Sequence, residues 1–145
     1  MRTAAPPDAP STRARLRAAR GPLVVAGGAA VVALGLVLRD PHGQGSWGVC
    51  PLYALTGAYC AGCGGLRATH DLLVGDLAGA WSMNPLWVLV VPVLAALWAR
   101  WLVRALRTGR PARAPSARVA IVATAVVLLY SVARNVPAWA GLLAP

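Results

Sequence analysis

The segment Cys50–Pro85, CPLYALTGAYCAGCGGLRATHDLLVGDLAGAWSMNP, is where a strongly apolar chain stops reading as membrane helix. It holds all three cysteines, one of the two histidines and two of the four acidic residues. Pro51, Gly57, Gly62, Gly64 and Gly65, with Pro41 and Gly43 just upstream, interrupt any helix over 41–66. Irregular backbone cannot face lipid at hydrocarbon depth, so this stretch belongs at the interface, with Trp47, Tyr53 and Tyr59 at headgroup level. After Gly64-Gly65 a helical pattern begins, on which Arg67, His70 and Asp71 fall at i, i+3 and i+4 and share a face. Gly75 divides this pattern into two short helices, and Asp76 caps the second. Asn84-Pro85 is a start signal for the next helix, with Asn at the cap and Pro at the first helical position.

On either side the apolar residues come in blocks. Residues 22–38 (PLVVAGGAAVVALGLVL), 85–103 (PLWVLVVPVLAALWARWLV) and 119–134 read as membrane helices. The first exceeds a signal-peptide core of roughly 7–15 residues and further spans follow it, so an uncleaved anchor is expected. Residues 1–21 read as a disordered basic tail, 39–84 as the cysteine loop with short interfacial helices, 104–118 as a basic loop and 135–145 as an interfacial C-terminal tail stopped by Pro137. Pro92 predicts a kink in the second span. The expected fold is therefore all-α: a multi-pass membrane protein with three transmembrane helices and an extracytoplasmic cysteine loop.

Composition agrees. Of 145 residues 58% are apolar and 12% charged, with a net charge of +10 and mean hydropathy +0.61. All fourteen basic residues are arginines. They flank apolar blocks instead of forming a stripe with interleaved aromatics, so they argue for bilayer orientation and against a nucleic-acid partner. Arg2, Arg13, Arg15, Arg17 and Arg20 precede the first span, and Arg100, Arg104, Arg107, Arg110, Arg113 and Arg118 lie between the second and third. The cysteine loop has Arg39 and Arg67. The positive-inside rule then puts the N-terminus and the 104–118 loop in the cytoplasm, the cysteine loop outside, and the protein in the cell membrane.

The pattern C-P-x4-T-G-x2-C-x2-C-G-x2-R, followed by G-D-L and N-P, resembles a bacterial membrane-protein family catalogued as domain of unknown function 2752. Here it is Cys50-Pro51, Thr56-Gly57, Cys60, Cys63-Gly64, Arg67, Gly75-Asp76-Leu77 and Asn84-Pro85; the family often has Pro where this chain has Ala61. The resemblance implies a small multi-pass membrane protein and names no catalytic residue.

Three readings of the cysteines stand open. Cys50, Cys60 and Cys63 in an oxidising compartment can form a structural disulfide, with one thiol left over or paired between chains. With His70 they make a Cys3His donor set for zinc, although the spacing is not a standard one. Cys60-x2-Cys63 can also act in thiol redox, with Arg67 and the following helix favouring thiolate. Gly64 after Cys63 excludes c-type haem. Arg67, His70 and Asp71 read as a polar network or a headgroup contact. No Ser-His-Asp set, paired-carboxylate site or phosphate loop occurs, so no catalytic residue is assigned and no cofactor beyond zinc is implied. The expected role is a non-enzymatic membrane component presenting a cysteine-stapled loop to lipid, to a membrane-protein partner or to a second copy of the chain. The alternative is thiol-redox or metal-binding activity at the CxxC pair.

Overall fold

A computed structural model describes residues 10–43, 47, 50–111 and 114–145. Seven helices and no strand occur among them: α1 (Thr12–Leu38), α2 (Pro51–Thr56), α3 (Gly65–Val74), α4 (Leu77–Met83), α5 (Pro85–Thr108), α6 (Ala117–Ala133) and α7 (Pro137–Leu143). α1 and α5 are long and apolar enough to cross a membrane, with mean hydropathy 2.2 and 2.0 over their most apolar stretches. α6 joins them as a third if it is counted together with α7, from which it is bent by 108°. At about 1.5 Å per residue, the 17 residues of α6 reach about 25 Å, slightly short of a hydrocarbon core.

Two stretches differ from expectation. Residues 12–21, expected to be disordered, form the first turns of α1, because Ser11 caps the helix by accepting from the Ala14 N–H at 3.3 Å and alanine, leucine and arginine favour helix. Pro22 accordingly lies inside α1 instead of opening it. Pro137, expected to stop the chain's last helix, occupies the first turn of α7, where its missing N–H costs nothing. Residues 1–9 of the expected tail, and 112–113 of the basic loop, lie outside the described residues.

α1 packs against α5 and, near its C-terminal end, against α3. The α1–α5 pair is antiparallel. Trp98 donates from Nε1 to the Pro22 carbonyl at 2.9 Å, and Gly21 leaves room for the Trp101 ring. Past the end of α5, Gly109 (φ +60°) sits against Pro10 and Ala14. The arginines at the start of α1 and at the end of α5 thus gather at one end of the molecule. Val24, Val31, Leu38, Leu89, Leu97 and Leu129 are all more than half exposed, the surface expected of helices covered by lipid.

At the other end the chain follows the pattern read from sequence. Gly75 ends α3 with φ +87°, Asp76 caps α4 by accepting from the Gly79 N–H, and Asn84 caps α5 by accepting from the Trp87 N–H. The Trp87 indole donates to Thr69 Oγ1 at 2.7 Å and ties α5 to α3. The stretch over 41–66 is more regular than expected, since Pro51–Thr56 closes as α2 with Gly57 (φ +71°) as its cap.

Candidate functional site

The three cysteines reach one place by two routes. Cys50 is the cap residue of α2, where Pro51 starts the helix. Cys60 and Cys63 lie on a tight turn closed by the Cys63 N–H donating to the Cys60 carbonyl at 3.1 Å. Stacked Tyr53 and Tyr59 rings, 4.7 Å between centroids, lock α2 onto that turn. Cys60 Sγ lies 3.5 Å from Cys50 Sγ and 3.5 Å from Cys63 Sγ, and all three sulfurs fall within 4.8 Å of one another. All three are free thiols.

Residues from the far end of the chain hold the turn. Arg134, at the C-terminal end of α6, is fully buried. Its Nη1 donates to the carbonyls of Cys60 (2.9 Å) and Cys63 (2.7 Å), Nη2 to that of Met83 (3.1 Å) and Nε to that of Leu143 (2.6 Å). The guanidinium also lies over the Tyr130 and Tyr59 rings. Asn84, fully buried as well, donates from Nδ2 to the Ala61 and Cys63 carbonyls at 2.8 and 3.1 Å. Its Oδ1 accepts from the Tyr130 hydroxyl at 3.2 Å. Asn135 pairs with both the N–H and the carbonyl of Tyr59, and Ser131 Oγ accepts from the Ala61 N–H. An irregular turn has no ladder of its own, so its polar backbone must find side chains. Here the N–H groups of Tyr59 and Ala61 and the carbonyls of Tyr59, Cys60, Ala61 and Cys63 all do.

Gly64 makes the close approach feasible. It holds φ +77°, and a Cβ there would collide with the Met83 carbonyl.

A cleft of about 360 Å³ opens over the thiols, lined by Pro41, Trp47, Gly62 and Arg67 among others. A neighbouring one of about 290 Å³ shares Cys50, Cys63, Gly64 and Arg67. The thiols differ in acidity. The Tyr53 backbone N–H on the first turn of α2, then the Cys63 and Cys60 thiols, lower Cys50 to about 7. Burial pushes Cys63 up to about 12.

The other expected site residues separate. His70, expected beside the cysteines, is gathered instead with Asp40 and His42, their ligating atoms within 4.8 Å of one another. His70 Nδ1 lies 3.2 Å from Asp71 Oδ1, so the expected His70–Asp71 pair is present. Arg67, expected with them, turns its Nε to the Pro41 carbonyl at 3.3 Å. Sequence reasoning missed Arg134 and Asn135 as holders of the turn, saw in Asn84 only a helix cap, and passed over Asp40 and His42. One signal for Arg134 was available: an arginine at the end of a span away from the two arginine-rich stretches needs a partner there.

Residues 50–98 match the model of a family described as a protein of unknown function (DUF2752), the family that the cysteine motif resembles. No curated protein and no solved structure matches the chain.

Proposed function

We propose that this is a small membrane protein whose cysteine loop holds a thiophilic metal ion, zinc foremost, through Cys50, Cys60 and Cys63. The observation that carries the reading is the triangle of sulfurs, with Cys60 3.5 Å from each of the others. Tetrahedral zinc with bonds of about 2.3 Å spaces its sulfurs about 3.8 Å apart, so small side-chain shifts would close the three thiols on one ion. A metal also uses all three cysteines, whereas a disulfide strands one. His70 belongs to another cluster, and the carbonyls of Cys60 and Cys63 are engaged by Arg134. The fourth position therefore opens on the cleft beside Arg67, where a small ligand or a donor from a partner protein can complete the shell. Such a centre presents or passes on a metal; among the described residues that line the cleft there is no carboxylate or imidazole.

One feature favours a second reading. Cys60 is equally distant from both neighbours, so it can pair with Cys50 or with Cys63, and an oxidising compartment would fill one of those bonds. The raised Cys63 thiol favours the Cys50–Cys60 bond, because Cys63 forms its thiolate far less readily than Cys50.

The same reading places the cysteine end outside the cell membrane. Eleven of the fourteen arginines lie in 1–21 and 100–118, which marks that end as cytoplasmic. The bilayer is the constant partner, and the open metal position faces a membrane-protein partner or a second copy of the chain.

Substitution with cobalt(II) tests the centre. Thiolate-to-metal charge-transfer absorption on adding cobalt(II) to the reduced, detergent-purified chain is the expected result, and its absence rejects the metal reading.

A further inference from the structure

Asp40 and His42 lie just past the end of α1, and His70 and Asp71 stand on α3 across from them. His42 Nδ1 is 2.8 Å from Asp40 Oδ1, and its Nε2 is 3.5 Å from Asp71 Oδ1. His70 Nδ1 meets the same Asp71 oxygen at 3.2 Å, and the two imidazoles pack edge to face with centroids 5.6 Å apart. Asp71 is only 5% exposed, and its other oxygen, Oδ2, is buried beside Gly79 with no hydrogen-bond partner.

Asp40 is 60% exposed and solvated, whereas Asp71 is shut away from water. A carboxylate buried as deeply as Asp71 is costly without a compensating cation. Oδ2 receives nothing, so compensation must come through Oδ1, on the side of the two rings. A cation held by the two rings would supply that compensation.

We propose that Asp40, His42 and His70 bind a divalent first-row transition metal, with Asp71 behind them as the carboxylate that orients both rings. Asp71 Oδ1 faces His42 Nε2 at 3.5 Å and His70 Nδ1 at 3.2 Å, so a metal would take His70 Nε2 and, in place of the proton shared between them, His42 Nδ1 and Asp40 Oδ1. Two imidazoles and one carboxylate form a donor set suited to zinc, iron(II) or nickel, and unsuited to calcium or magnesium. A carboxylate on the second ring nitrogen is the usual support for a ligating histidine. This site shares no ligand with the three thiols. The Arg67–Pro41 hydrogen bond, which fastens the 40–42 turn to α3, lies between the two.

The test uses the full chain in detergent, reduced and then alkylated at all three cysteines so that only nitrogen and oxygen ligands remain. Calorimetric titration with zinc at pH 7.5 should give one ion per chain. His42→Ala and His70→Ala should each lower the affinity at least tenfold, and Asp71→Asn should lower it about tenfold to a hundredfold. Should His70→Ala or Asp71→Asn fail to fold, His42→Ala decides alone, since that ring is 37% exposed and stands on the turn past α1, outside any helix. No zinc bound by the alkylated chain, or an affinity unchanged in His42→Ala, overturns the proposal.

Discussion

Arg134 donates from Nη1 to the Cys63 carbonyl at 2.7 Å across 71 residues of sequence. The last long helix thereby fastens the turn that carries two of the three thiols. α6 buries no residue of its own along its length, so its attachment to the rest of the fold is concentrated at this one end.

Removing that clamp should be costly. Arg134→Ala leaves the Cys60, Cys63, Met83 and Leu143 carbonyls without their donor, and hydrogen bonds to a charged group contribute about 1.5–3 kcal/mol each. A loss of about 3 kcal/mol or more is expected in detergent melting, together with faster alkylation of Cys63. Arg134→Lys should fall between wild type and Arg134→Ala, because a single ammonium cannot span four carbonyls. Equal melting of all three would remove Arg134 from the account.

Two glycines give a matched comparison. Gly57 and Gly64 both hold positive φ, +71° and +77°, but only Gly64 has backbone where a Cβ would go. Gly57→Ala should cost about 1 kcal/mol, the left-handed penalty alone. Gly64→Ala should cost clearly more, since the Met83 carbonyl must move as well. Equal costs in thermal melting would mean that the turn yields freely around Gly64.

Much of this end of the molecule is legible in the sequence because its signals are local. Gly75, Asp76, Asn84 and Pro85 act within three or four residues of themselves, and the structure has each in its expected role. The clamp is not legible, because Arg134, Asn135 and Ser131 reach residues 70 or more positions away. His70 was read with the cysteines because it lies seven residues after Cys63 on the adjoining helix. Its partners come instead from the end of α1, and no spacing along the chain reveals that approach.

The thiols should separate by pH. In reduced, metal-free protein Cys50, at about 7, is half thiolate near neutrality, whereas Cys63, at about 12, stays protonated. Iodoacetamide at pH 7 should therefore modify Cys50 well before Cys63, as read by peptide mass spectrometry. The signs for stability are opposite. Cys63 has its folded value above the ordinary 9.0, so its contribution is present below about pH 9 and is lost as pH rises towards 12. Cys50 has its folded value below 9.0, so its contribution is present above about pH 9 and is lost as pH falls through 7. Faster modification of Cys63 than of Cys50 would contradict the geometry of the site.

Orientation is open to direct test. A thiol reagent that cannot cross membranes, applied to whole cells after chelation and mild reduction, should label the chain at Cys50. Labelling that appears only after permeabilisation would reverse the topology derived from the arginines.

The most direct measurement is the zinc stoichiometry of the reduced chain, made in the His42→Ala background so that the thiols alone are counted. Native mass spectrometry should show one ion per chain there, and Cys50→Ser, Cys60→Ser and Cys63→Ser should each abolish it, because three ligands share one ion. If instead the reduced chain carries no zinc, and the chain as purified, before reductant, falls short by two hydrogens, the centre is a disulfide and the metal reading is wrong.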